Sequence, residues 1–166
     1  MKTPNFPKKY FGPQKGQYSN LDFAMLKDLS AIDRQMRYTF LTLCLDLEHF
    51  LKVKLLDNFM GHLDPYAEVA TFLATNSHIA HEITRNKNNP YCGNIIKKYP
   101  QMPVWVFLEV ISFGTFVSFY EHCAKKLKKI ELMTDALLLQ NIRQLRNACA
   151  HNNCLIHNMN EKNSQQ

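Results

Sequence analysis

From Ala31 onward the apolar positions recur three and four residues apart. Met36, Phe40, Leu43, Leu47, Phe50 and Leu51 fall on one face of a helix. The spacing predicts an amphipathic helix over about 31–60, with Ser30 as a candidate cap and Gly61 and Pro65 as its end. Asp33–Arg37 and Glu48–Lys52 support it as i,i+4 pairs. At 1.5 Å per residue such a helix is about 45 Å long, enough to be the spine of the domain. A short helix precedes it after the cap pair Ser19–Asn20, and another is predicted over 65–85. A polar loop (RNKNNPYCGN) follows, then Pro103 opens a run of 17 apolar-rich residues from Val104 to Tyr120. That run predicts a helix over about 104–126, apolar nearly all round and therefore central. The last helix is expected over about 133–152. With no strand alternation and no internal repeat, the fold class is all-α, a single bundle of four to five main helices. Residues 1–19, rich in Pro and Lys, read as a basic flexible arm, 20–157 as the helical domain, and 158–166 as a polar tail.

Composition sharpens this. The chain has 166 residues, 46% apolar and 20% charged, within the range of one globular domain. Only 5 Gly and 7 Pro leave too few turn residues for a β-sandwich or barrel. Neither GxGxxG nor GxxxxGK[ST] occurs, so no phosphate-cradling loop and no cofactor is expected. The net charge of +6 permits a nucleic-acid partner, although Lys2, Lys8, Lys9 and Lys15 all precede the first acid, Asp22. The N-terminus lacks the apolar stretch of a signal peptide, so the five cysteines are expected as reduced thiols in the cytoplasm. The apolar run contains Glu109 and is shorter than a span of ~20 residues, so no membrane partner is expected.

The chemistry concentrates in the last helix, in Asn141–Asn152. At about 100° per residue, Leu138, Ile142, Leu145 and Cys149 form the expected core stripe. Arg146, Arg143, Asn147 and His151 then span a polar arc from about 80° to 220°. An arginine, an amide and an imidazole around one phosphate are what RNA transesterification requires. The guanidinium stabilises the phosphorane and the imidazole moves protons. Glu109, if buried in its apolar helix, needs a cation such as Arg37 or Arg143. It and Glu48 either fix helix packing or orient the catalytic arginine. Lys125 and Lys126, with Lys128 and Lys129, read as a solvated helix end or as contacts along an RNA backbone. Cys149, His151, Cys154 and His157 do not match zinc-site spacing, so no metal is expected. His78 and His81 are expected to be exposed, and Trp105 to lie in the core.

Three blocks also resemble a known family. Arg146-Asn147-Ala148-Cys149-Ala150-His151 is similar to the R-N-x-x-x-H motif of HEPN ribonucleases, and LRNACAHN at 145–152 resembles the end of the abortive-infection (Abi) proteins of that superfamily. PVWVFLEVISFGTFVSFY at 103–120 resembles their Pro-x-Trp…Glu…Ser-Phe-Gly helix, and DRQMRYTFLTLCLDLEHFLKVKLL at 33–56 their Asp-Arg-x-x-Arg…Glu…Lys helix. The resemblance implies a helical bundle and metal-independent cleavage of RNA to 2′,3′-cyclic phosphate ends in phage defence or a toxin–antitoxin system. It implies Arg146, Asn147 and His151 as catalytic residues; Arg143, beside them on the arc, is expected as an auxiliary phosphate contact. It also implies a homodimer pairing two such motifs, with a small RNA or antitoxin as a further partner. The alternative is a non-catalytic helical module that binds RNA or protein through the same arc.

Overall fold

The computed structural model describes residues 23–156, and every regular element among them is helical. The expected N-terminal arm, the Ser19–Asn20 cap and the polar tail lie outside the described residues. Seven helices follow in order: α1 Phe23–Phe59, α2 Ala67–Thr75, α3 Ser77–Asn86, α4 Gly93–Lys98, α5 Val104–Val110, α6 Phe113–Leu127 and α7 Ile130–Ala150. The all-α expectation holds. Two predicted helices are each broken in two, α4 stands as a short helix between them, and the short helix expected before the long one is continuous with it in α1.

Helix α1 is the spine, 37 residues and about 55 Å long. Ser30 lies inside it and caps nothing, since no Pro or Gly interrupts the chain between 23 and 59. Gly61 ends it at φ +80, a conformation that suits a residue without a Cβ. The 65–85 segment breaks at Asn76 (φ −131, ψ 71), whose amide donates to the Phe72 carbonyl at 2.8 Å. Thr75 also bonds back to Phe72, so short polar side chains there compete with the helical ladder.

The apolar run breaks at Ile111–Ser112, both extended. Ser112 caps α6, its Oγ accepting from the Thr115 N–H at 3.4 Å. Two residues of α5 lie on its open side. Glu109 is exposed, sharing an open stripe with Trp105 and Ser112, so it is not a buried carboxylate awaiting a cation. Trp105 is 42% exposed and stacks edge-on against Tyr66 rather than lying in the core.

Helix α7 runs antiparallel to α1 and α6. Lys54 and Tyr120 both donate to Asp135 Oδ2, at 2.6 and 2.9 Å, at one end of the seam. At the other end, Asp33 of α1 accepts from the Leu155 and Ile156 N–H groups at 2.7 and 3.1 Å. The core joins Leu51, Leu55 and Phe59 of α1 to an edge-to-face cluster of Phe72, Phe107 and Phe119, with centroids 5.0–6.0 Å apart.

The face of α1 that packs inward is not the one the apolar spacing indicated. Asp33, Cys44, Leu51, Leu55 and Phe59 are buried, whereas Leu43 and Phe50 are 56% and 59% exposed. From Asp33 to Cys44, α1 meets α7 and the segment just beyond it through a seam that includes Asp33, Arg37 and Cys44. This polar seam carries little of the hydropathy pattern.

Candidate functional site

The arc on α7 lies close to where the first turn of α6 meets the middle of α1. Its geometry rests on which stripe of α7 faces inward. Leu132, Ala136, Leu139 and Cys149 are buried, Ile142 packs against the core, and Leu138 is exposed. The first half of α7 therefore packs inward on the Leu139 side, about 100° from Leu138, while Ile142 and Cys149 of the expected stripe still face the interior. Arg146 now lies only about 20° from Leu139 and points into the bundle instead of flanking it. Its guanidinium sits over the Phe113 ring, 5.9 Å from the centroid, and its Nε is sealed from solvent.

Arg143 is half-buried beside it, over the start of α6. A Cβ added at Gly114 would lie 4.0 Å from Arg143 Cδ and 3.9 Å from Ser112 Oγ, so the Ser112-Phe113-Gly114 turn forms a platform beneath both arginines. Neither Arg143 nor Arg146 has an ion pair among the described residues. The other half-buried cations on this face do: Arg37 pairs with Asp33, Lys52 with Glu48 at 3.0 Å, and Lys54 with Asp135 at 2.6 Å. A half-buried guanidinium without an anion is costly unless a ligand provides one.

His151 caps the C-terminus of α7 and is exposed, with its backbone N–H donating to the Asn147 carbonyl at 2.9 Å. Asn147 is exposed too, and the bond between the two residues is through the backbone. Asn152 follows at φ +58, turning the chain back toward α1, where Asp33 holds Leu155 and Ile156. His151 is thus held between a helix end and a strap anchored on a buried carboxylate.

The remaining expected residues are placed differently. Arg37 pairs with Asp33, not with Glu109. Glu48 pairs with Lys52, whose Nζ lies 5.8 Å from the Phe116 centroid, so this pair braces α1 on α6 and does not orient an arginine. Lys125 and Lys126 pair with Glu121 and Glu68 at 2.7 and 3.2 Å. They stand twelve and thirteen residues beyond Phe113 on α6, about 18–20 Å along its axis, away from the arc. His78 and His81 are both exposed, as expected. Cys149 is buried while His151 and Cys154 are exposed, so these three do not converge; His157 lies outside the described residues. No group of three or more His, Cys, Asp or Glu among the described residues is arranged to hold a metal ion. None of the described helices is long and apolar enough to cross a membrane.

Two features were missed in the sequence. Glu82 of α3 accepts from the Ser112 N–H at 2.7 Å and the Thr115 hydroxyl at 2.6 Å, clamping the first turn of α6. Nothing in the local pattern marks this contact, which spans 30 residues. The second is a pair of buried thiols. Cys44 is raised above the usual thiol range, first by burial and then by nearby Cys149, with Arg146 opposing; Cys149 is raised by burial, with Arg37 opposing. Both arginines therefore border the same seam.

A family model described as Abi-like protein matches residues 4–157. No curated protein and no solved structure matches the chain.

Proposed function

The chain belongs to the Abi-like protein family, and on that footing we propose that it is a metal-independent endoribonuclease of the HEPN kind. The family's name ties it to abortive infection, a form of phage defence. The observation that carries the finer reading is the pair of arginines, Arg143 and Arg146, without a carboxylate among the described residues, five and eight residues from an exposed His151. Arg146, stacked on Phe113, presents its terminal nitrogens to the scissile phosphate and stabilises the charge that develops as the 2′-oxygen attacks. Arg143 adds a second phosphate contact over the α6 turn. His151 takes the 2′-OH proton or protonates the departing 5′-oxygen. Asn147, one turn before it on the exposed face, contacts the phosphate.

One imidazole serves poorly as base and acid in the same step, so a second copy supplies the other. The products end in 2′,3′-cyclic phosphate. The reaction takes place in the cytoplasm, with a small RNA or antitoxin restraining it. Arginines that merely docked an RNA or a protein would show the same lack of partners, and activity separates the readings. The test is RNA cleavage in EDTA by the wild type, His151→Ala and Arg146→Ala. His151→Ala should lose on the order of 10²–10⁴-fold in rate and retain RNA affinity. Arg146→Ala should lose both, and Arg146→Lys should restore neither fully, since an ammonium lacks the planar fork. Binding without cleavage by the wild type would overturn the catalytic reading.

A further inference from the structure

Two hollows of about 320 and 360 Å³ share Leu73, Pro100 and Met102 and so form one groove. It runs from Tyr66, just before α2, to Lys87 and Lys97, which flank the other end from the close of α3 and from α4. The groove is separate from the arc. Glu82 and Asn86 of α3 bond to Ser112 and Val110 beside the α6 turn. Ala80, Thr84 and Lys87 line the groove instead, about 140–200° around the helix from Glu82.

Its charge is one-sided. From Ile83 to Leu108 the chain carries Arg85, Lys87, Lys97 and Lys98 and no Asp or Glu. All four cations are exposed, and none has an ion pair among the described residues, unlike Lys52, Lys54, Lys125 and Lys126. The acids on the neighbouring elements are engaged. Asp64 accepts from the Tyr66 and Ala67 N–H groups at 2.8 and 2.7 Å, Glu68 meets His122 and Lys126 at 3.1 and 3.2 Å, and Glu82 clamps Ser112 and Thr115. Glu109, exposed one turn beyond Trp105, marks the edge of the basic face.

Charge alone would suit any polyanion, and the aromatic side chains narrow the choice. Tyr66 packs edge-on against Trp105 with centroids 6.1 Å apart, and the Val104 N–H donates to the Pro65 carbonyl at 3.0 Å, which fixes the start of α5 beside the groove. Tyr66 and Trp105 are 47% and 42% exposed, and Tyr91, on the loop between Lys87 and Lys97, is 95% exposed. In a T-shaped pair one ring gives only its edge, so its faces stay free for a planar partner. Cations along a groove with ring faces beside them hold single strands, because the lysines follow the phosphates while the bases stack. We propose that this groove binds single-stranded RNA, with a base stacked on the Tyr66–Trp105 pair and the phosphates passing Lys87 and Lys97. The choice of RNA over DNA rests on the nuclease reading above; the single-strand site does not.

Trp105 is the only tryptophan of the chain, so its fluorescence reports on this site directly. A 2′-O-methyl RNA of about 12 nucleotides keeps phosphates and bases but offers no 2′-OH for attack, so the wild-type full chain can be titrated without cleavage. The single strand should quench Trp105, and the same sequence in a duplex, whose bases are already stacked, should not. The double variant Lys87→Ala/Lys97→Ala should bind more weakly and flatten the slope of log K against log salt by about 1.4, at ~0.7 per lost phosphate contact. Both lysines are exposed, so its helical spectrum should not change. Trp105→Ala should weaken binding about fivefold or more by anisotropy of a labelled strand, and Trp105→Phe should recover most of it. Arg143→Ala should leave the depth of quenching at saturation unchanged. No quenching by the single strand, an unchanged salt slope in the lysine variant, or equal competition by polyglutamate would overturn the proposal, the last by making the groove a site for an acidic protein. Quenching by a chain that leaves unmodified RNA intact would sustain this site and refute the nuclease reading; cleavage without quenching would do the reverse.

Discussion

Replacing Asp33 by alanine should cost more stability than any change at an exposed residue of the arc. Asp33 is 4% exposed and makes three interactions at once: an ion pair with Arg37 and two bonds from the Leu155 and Ile156 N–H groups at 2.7 and 3.1 Å. A hydrogen bond to a charged group is worth about 1.5–3 kcal/mol. Breaking a buried pair from one side costs about 3–5 kcal/mol, since the partner charge stays behind. The Arg37 side chain is 15% exposed, so it recovers some hydration and the lower end applies. We expect a loss of about 3 kcal/mol, or roughly 6–12 °C in Tm for a domain of this size. Arg37→Ala should cost about half as much, because Asp33 keeps its two backbone donors. The double variant Asp33→Ala/Arg37→Ala should be more stable than the sum of the singles by about 1 kcal/mol or more. Urea unfolding followed by far-UV circular dichroism measures all three. An Asp33→Ala loss below about 1 kcal/mol, or strict additivity, would show that the strap beyond α7 is not held by this carboxylate.

Glu82→Ala should cost about 2 kcal/mol in a thermal melt, since the Ser112 N–H and the buried Thr115 hydroxyl both lose their acceptor, and Glu82→Gln about half of that. At pH 8, Cys154 should react rapidly with a disulfide reagent, while Cys44, Cys123 and Cys149 react only on unfolding. Burial raises Cys44 and Cys149, so their contribution to stability is whole below the ordinary thiol range and is lost as the pH climbs above it. A urea midpoint that rises between pH 8 and 10 would contradict this. Lys125→Ala and Lys126→Ala should change RNA cleavage less than twofold, because both lysines pair with carboxylates far along α6 from the arc.

Much of the fold was legible because helix periodicity is a local signal. The long helix, its Gly61 terminus, the Asp33–Arg37 and Glu48–Lys52 pairs and the last helix could all be read from spacing. The breaks were harder. Ser112 is a conventional helix cap, but inside a run of apolar residues its signal is outweighed by Val110, Ile111 and Phe113 on either side. Trp105 and Glu109 lie on a narrow open stripe of α5, which a run apolar on nearly every other side conceals. Orientation was the other gap. Ile142 and Cys149 of the expected stripe do face the interior, but Leu138 is exposed and the first half of α7 packs on Leu139 instead; only packing decides between adjacent positions 100° apart. That shift makes Arg146 a half-buried residue and not a flanking one. Glu82 and the bonds from Leu155 and Ile156 to Asp33 join positions far apart in the chain and leave no trace in local spacing.

The most direct test of the account is the chemistry of the RNA ends left by the purified wild-type protein in excess EDTA. Attack by the 2′-oxygen, with Arg146 on the phosphate and His151 moving protons, predicts 2′,3′-cyclic phosphate on one fragment and a free 5′-hydroxyl on the other, with no such products from His151→Ala. Fragments bearing 3′-hydroxyl and 5′-phosphate ends, products that appear only when a divalent ion is restored, or equal cleavage by His151→Ala would contradict it.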